Sequence, residues 1–327
     1  MPSSRIVGTG SYVPPKTLTN ADLEKMVDTN DEWIVTRTGI SERRVASDED
    51  ATSDLAYEAA LQALSAANLD PMDLDMILVA TITPDMCFPS TACVLQDRLG
   101  ARRAGAMDIS AACTGFVYGL AVADGLLRLG TLRTVLVVGA ETLTKIVNWQ
   151  DRNTCVLFGD GAGAGVLRAS EGERGILSTH LFADGSKGPL LITPGGGSRH
   201  PVSQCVLDAG LCKIHMANGN EVFKIAVRAM EDAALTALKH NGLEVGDVDL
   251  LVPHQANLRI INAVGQRLGV SEEKVCVTIK KYGNTSAASI PIALNEAVQA
   301  GRVHAGDLVL LCAFGGGLTW GSALIRW

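Results

Sequence analysis

Three residues, far apart in the chain, have the types that acyl transfer needs. Cys113 lies in "MDISAACTGF" (107–116), where a β-like run closes in small residues. An apolar segment, "VYGLAVADGLL", follows with helical periodicity. A cysteine at the first turn of a helix faces unpaired backbone N–H groups, which favour an anion, so the expected thiol pKa is lowered. A thiolate that attacks a thioester forms another thioester of similar energy, which makes it a good acyl acceptor. His254 in "VPHQAN" and Asn284 in "GNTSAAS" are hydrogen-bond donors suited to a developing oxyanion. The run "AFGGG" (313–317) adds backbone N–H groups that glycine leaves open to a substrate. Each residue also has a plainer reading: a buried structural cysteine, a satisfied core histidine, a turn asparagine. The elements that would bring them together decide between the two.

Those elements are visible as an internal repeat. "AALQALSAANLDPMDLDMILVA" (59–80) aligns without gaps to "AALTALKHNGLEVGDVDLLVPH" (233–254), an offset of 233 − 59 = 174. Each copy reads as an amphipathic helix, a turn and a buried strand. Further echoes are "QDRLG" (96–100) with "GQRLG" (265–269), and "TVLVVGAE" (134–141) with "DLVLLCAF" (307–314). Two copies are too few for a solenoid and indicate two similar α/β units packed face to face, 1–174 and 175–327. The turns "ISAACTG" and "GNTSAAS" occupy equivalent places, so an approximate two-fold brings Cys113 and Asn284 together. His254 falls at the C-terminal end of a strand, where α/β sheets place ligands.

Composition narrows the alternatives. A chain of 327 residues allows roughly two domain-sized units. A formal net charge of −7 without runs of like charge argues against nucleic-acid binding. The start, "MPSSRIVGTGSYVPP", does not read as a secretory signal, and no apolar run is long enough to span a membrane. Eight cysteines without CxxC or CxxH spacing point to reduced thiols in the cytoplasm, with no disulfide framework and no metal site. The glycines of "GDGAGAG" (159–165) read as a turn into a buried strand, because the acidic residue of a dinucleotide site is missing. A papain-like hydrolase shares the order Cys, His, Asn, but its "CGSCW"-type context is absent and a duplicated architecture does not suit it. An idle acyl-carrier-binding protein would have no use for all three residues.

Taken jointly, "DEWIVTRTGI" (31–40), "AACTGF" (111–116), "FGDGAGAGVL" (158–167), "GNEVFK" (219–224), "VPHQANLRII" (252–261), "GNTSAAS" (283–289) and "FGGGLTWGSAL" (314–324) are highly specific. The chain resembles β-ketoacyl-acyl-carrier-protein synthase III over essentially its whole length. That resemblance implies a thiolase-like α/β fold: two duplicated halves about a pseudo-two-fold, in five αβαβα layers. It implies a catalytic triad of Cys113, His254 and Asn284, with the N–H groups of Cys113 and Gly316 as the acyl oxyanion hole. It further implies coenzyme A contacts from Trp33, Arg37, Thr38 and Arg152, with adenine between Trp33 and Arg152, and a pantetheine tunnel lined by Asn220 and Asn257. Phe88, in "CFPSTAC", is placed near the end of the acyl pocket, reaching across a homodimer. The implied substrates are acyl-coenzyme A and malonyl-acyl carrier protein, with no further cofactor. A related synthase making an alkylquinolone or polyketide starter is the alternative.

Two further expectations rest on chemistry. Malonyl thioester forms its carbanion by losing CO₂, so no carboxylate base is needed, and one beside the triad would repel the malonyl group. An acidic carrier docking on a net-negative protein needs a local basic patch, for which Lys224, Arg259 and Arg267 are candidates; on a helix over "LRIINAVGQRL" the two arginines lie about two turns apart on one side. The segment 195–218 departs most from the family pattern and leaves tunnel access and acyl preference open.

Overall fold

The structure is a computed structural model that describes residues 3–172 and 174–327. Nine strands form two sheets: β1 (Ser3–Tyr12), β2 (Met76–Ala80), β3 (Gly105–Ile109), β4 (Thr134–Glu141) and β5 (Gly161–Ser170) in the first, and β6 (Gly175–Ala183), β7 (Leu250–Pro253), β8 (Leu308–Gly315) and β9 (Thr319–Arg326) in the second. The first sheet runs β1-β5-β4-β2-β3 and the second β6-β9-β8-β7, so the two match position by position. Opposite β3 the second half offers only an isolated bridge from Leu251 to Val275.

Seven helices complete the layers: α1 (Asp31–Thr38), α2 (Thr52–Ala67), α3 (Thr91–Leu99), α4 (Gly115–Arg128), α5 (Gly219–His240), α6 (Leu258–Leu268) and α7 (Ser289–Gln299), besides shorter turns. Strand side chains alternate between faces. Val135 and Val137 of β4 and Val309 and Leu311 of β8 point inward, onto Phe116 and Leu120 of α4 and Ile290 and Leu294 of α7. Leu136 and Val138 point the other way, onto Leu55, Ala59 and Ala63 of α2. Leu310 does the same toward Met230 and Ala234 of α5. The order is therefore helix, sheet, central helices, sheet, helix. Strands covered on both faces read as unbroken apolar runs, which is why β4 and β8 are buried along their whole length.

Registers fix the repeat. Met76 pairs with Val135 and Leu250 with Val309, so both strands are displaced by 174 residues (250 − 76 and 309 − 135). The counterpart of Thr134–Glu141 is thus Leu308–Gly315, one residue beyond the "DLVLLCAF" alignment. The shorter offset would turn every side chain of the strand to its other face. Asp75 and Asp249 confirm the equivalence: each carboxylate accepts the N–H that opens the neighbouring strand, Thr134 at 2.9 Å and Leu308 at 2.8 Å.

Candidate active site

Two tight turns face each other between the sheets. Residues 112–114 lead into α4 and residues 286–288 into α7, again 174 apart. Each opens on a non-glycine residue in the left-handed region, Ala112 at φ 45° and Ser286 at φ 47°. Such a conformation costs of order 1–3 kcal/mol and persists where surrounding structure imposes it. The imposing contacts are close. A Cβ on Gly315 of β8 would stand 2.7 Å from the Cys113 N, and one on Gly139 of β4 would stand 2.2 Å from the Ala287 O. Each central strand thus presses against the turn carried by the other half.

Asn284 is fixed from three directions. Its N–H donates to the Leu157 O at 2.8 Å and its carbonyl accepts from the Gly159 N at 3.1 Å. Its Oδ1 accepts from the Ser286 N at 2.8 Å, which orients the amide and leaves Nδ2 as the free donor. His254 follows β7 directly and is buried. Its Nδ1 lies 2.6 Å from the Ser289 Oγ, and the same oxygen accepts from the Gln255 N at 3.3 Å. Burial lowers the His254 pKa to about 3, so the imidazole is neutral. Because the Ser289 Oγ already accepts from the Gln255 N, its hydroxyl hydrogen is assigned to Nδ1, which puts the ring hydrogen on Nε2. Both side chains therefore present N–H donors.

Cys113 sits in the 112–114 turn at the head of α4, where the sequence places it, but its thiol is not acidified. Burial pushes it up to about 12, against a smaller lowering by the Ser286 hydroxyl. The helix-start amides do not offset the loss of water around the sulfur. A second correction concerns carboxylates. Glu141, at the buried end of β4, raises the Cys113 pKa through its charge. Its Oε2 accepts from the Thr83 Oγ1 at 2.7 Å, the Ile82 N at 3.1 Å and the Thr81 Oγ1 at 3.2 Å. Burial nevertheless holds the carboxyl up at about 7. A charge closing an apolar eight-residue strand was the available signal; Ser286 and Ser289 gave none, being ordinary turn residues.

A cavity of about 340 Å³ opens on Cys113, Ser286, Gly316 and Gly317, with Ile82, Leu143, Phe158, Leu191 and Ile214 as apolar walls. Ile214 belongs to the divergent segment 195–218, which thus contributes to the wall, and Leu191 lies just before it. One apolar cluster joins Leu143, Phe158 and Ile214 to Ile34, with Trp33 and Leu258 packed against it.

Two family models match, the 3-oxoacyl-[acyl-carrier-protein (ACP)] synthase III model over residues 107–185 and its C-terminal model over 238–327. The Beta-ketoacyl-[acyl-carrier-protein] synthase III of Caldanaerobacter subterraneus subsp. tengcongensis is 58% identical over 98% of this chain and 97% of that protein. The chain belongs to the 3-oxoacyl-[acyl-carrier-protein] synthase III family. It is a condensing acyltransferase that initiates fatty-acid synthesis. Among solved structures, the synthase III of Aquifex aeolicus VF5 superposes with a TM-score of 0.91 at 52% identity, covering 99% of this chain and 100% of that one. The priming β-ketosynthase of the R1128 polyketide pathway superposes with a TM-score of 0.92 at 37% identity, covering 99% and 96%.

Over Trp33 of α1 lie two guanidinium groups, that of Arg37 from the same helix at 4.8 Å from the ring centre and that of Arg152, from the turn 152–155, at 5.2 Å. Asn257 caps α6, accepting from the Arg259 N and donating to the Arg37 O at 3.0 Å. Thr38, expected at the same ligand, is instead buried: its hydroxyl donates to the Ile34 O at 2.7 Å and accepts from the Ile40 N at 3.0 Å. These two bonds tie its hydroxyl to the last turn of α1 and to the chain that follows. Asn220 and Lys224 are exposed at the start of α5. Arg259 stacks over Phe223, 5.3 Å from its ring centre, while Arg267 is paired with Glu231. Phe88 is 85% exposed and does not line the cavity of its own chain.

Proposed function

We propose that acyl-coenzyme A acylates Cys113, and that malonyl-acyl carrier protein then decarboxylates against His254 and Asn284. The carbanion attacks the acyl-enzyme and yields a β-ketoacyl carrier product. One observation carries the assignment: Ser289 and the Ser286 N–H fix both His254 and Asn284 as donors, the arrangement an enolate oxygen requires. The N–H groups of Cys113 and Gly316, beside the cavity, serve the acyl oxyanion. Residues 1–174 contribute the nucleophile and 175–327 the donors. Acetyl-coenzyme A turnover with malonyl carrier, set against longer donors, tests this reading; preference for a specialised primer would favour the polyketide-type alternative.

The adenine site is read at Trp33. Arg152 already covers the ring, with its Nη1 donating to the Asp28 O at 3.0 Å, so a base entering between them displaces an exposed, weakly held guanidinium. Trp33→Ala should raise the KM for acyl-coenzyme A far more than that for a short acyl-pantetheine lacking adenine. Equal effects on the two donors would assign Trp33 to packing.

For the carrier, the candidate cations differ in what surrounds them. Arg267 is engaged by Glu231, whereas Lys224 is exposed and Arg259 lies over Phe223 beside the Asn257 cap. Docking through exposed charge acts mainly on encounter and weakens with salt. Arg259→Glu should raise the KM for malonyl carrier steeply and leave Cys113 acylation almost intact; a carrier KM indifferent to ionic strength would place the dock elsewhere. A homodimer is supported by the edge strand β3, where Met107 is exposed, and by the uncovered Phe88.

A further inference from the structure

The nucleophile begins as a neutral, buried thiol, so its proton must leave before or during attack. His254 cannot receive it in the resting tautomer. With the Ser289 Oγ already accepting from the Gln255 N, its hydroxyl hydrogen is assigned to the His254 Nδ1 and the ring hydrogen to Nε2. The other polar groups at the sulfur are Ser286 and, behind it, Glu141.

Ser286 lines the cavity beside Cys113, and its turn packs against β4, the strand that Glu141 closes; its hydroxyl favours the ionised form of both the Cys113 thiol and the Glu141 carboxyl. Yet Ser286 Oγ and Glu141 Oε1 are two of the few buried side-chain oxygens that make no well-formed hydrogen bond among the described residues. An orphaned acceptor and an orphaned hydroxyl in a dry site are costly unless chemistry uses them. Glu141 Oε2, by contrast, is fully occupied by Thr81, Ile82 and Thr83, so the carboxyl is held rigidly with one oxygen left over. Ser286 has a left-handed backbone, and its N–H donates to the Asn284 Oδ1 at 2.8 Å.

We infer that Ser286 and Glu141 form the proton route of Cys113 acylation, with Ser286 touching the reacting sulfur and Glu141 acting through it. As Cys113 Sγ bonds to the thioester carbonyl carbon, its proton passes to Ser286 Oγ, and the Ser286 hydroxyl proton passes to Glu141 Oε1. When the tetrahedral adduct breaks its bond to the coenzyme A sulfur, the leaving thiolate recovers that proton through Ser286. The products are acyl-Cys113, free coenzyme A thiol and a regenerated Glu141 carboxylate. Glu141 is faced by the Cys113 thiol, the hydroxyls of Thr81, Thr83 and Ser286, and the Ile82 N–H. A carboxyl balanced near neutral pH suits both directions of transfer.

The inference rests on Cys113 as the nucleophile, and the test separates the two. Single-turnover acetylation of the full chain by acetyl-coenzyme A is followed by the mass of the Cys113 peptide. At saturating donor, Glu141→Gln and Ser286→Ala should each slow acetylation about 100-fold, the scale of a lost proton acceptor, with the double variant no slower than the worse single one. The wild-type rate should rise with pH through about 7, as Glu141 ionises. Glu141→Gln should lose that break and climb only toward the pKa of the thiol, while Glu141→Asp should restore a break. Ser286→Ala buries no new charge and keeps the backbone N–H that holds Asn284, so it remains informative if Glu141→Gln folds poorly. Acetyl on another cysteine in wild type would overturn the nucleophile. Acetyl on Cys113 at wild-type rate in Ser286→Ala, or a break near neutrality surviving in Glu141→Gln, would overturn the proton route alone.

Discussion

Cys113→Ala should end acyl transfer, with condensation falling by roughly 10⁶, the scale on which a covalent nucleophile is lost. No other cysteine can substitute: Cys155, Cys276 and Cys312 are buried elsewhere, and Cys87, Cys93, Cys205 and Cys212 do not line the cavity. The substitution removes the sulfur but keeps the backbone N–H proposed for the oxyanion hole. It also leaves His254 and Asn284 untouched, because Ser289, Leu157, Gly159 and the Ser286 N–H hold them. Malonyl carrier should therefore still lose CO₂ on this variant. Peptide mass after incubation with acetyl-coenzyme A checks the first half, and release of labelled CO₂ the second. A labelled peptide from another cysteine would refute the assignment.

The second large effect divides the reaction the other way. His254→Ala and Asn284→Ala should remain open to acylation yet lose about 10²–10³ in condensation, about 3–4 kcal/mol of transition-state stabilisation each. An Asn284 variant that condensed at near wild-type rate would disprove the enolate role. Ionic strength should leave this loss unchanged, since the donors are buried. The pH profile is a further check. Because burial holds the imidazole neutral down to about 3, the condensation step should show no break near the ordinary histidine value. The same shift acts on stability. Between about 3 and 6.5 the unfolded chain binds the proton that the folded one refuses, so this site favours the fold less as pH falls through that window.

Much of this was legible in the sequence because duplication writes the same pattern twice. The helix-turn-strand repeat located β2 and β7, and with them the strand end that carries His254. Residue types then selected Cys113 and Asn284. What sequence could not supply was anything set by burial. A helix start suggested an acidic thiol, but the sulfur is enclosed between two sheets, and desolvation outweighs the local amides. Thr38 looked like a ligand contact because a motif places it beside Arg37, yet helix phase turns it inward. Glu141 escaped notice because β4 reads as an apolar strand, and only the register shows which loop its last residue meets. The one-residue error in the β4 echo has the same origin: buried strands of Val, Leu and Ala align equally well at either offset.

The facing turns carry one more consequence, visible when the 174-residue displacement is applied to the site itself. Cys113 then falls on Ala287, Asn284 corresponds to Ser110, and His254 to Ala80. The molecule thus holds a second copy of the proposed site's backbone, with the same left-handed kink and the same close strand, but without the thiol, imidazole and amide at the matching positions. Specialisation has been complementary. One copy of the turn gave up the donor, the other the nucleophile, and neither could resume work by itself. Such a chain has traded redundancy for a single shared workspace, so that harm to either copy silences both.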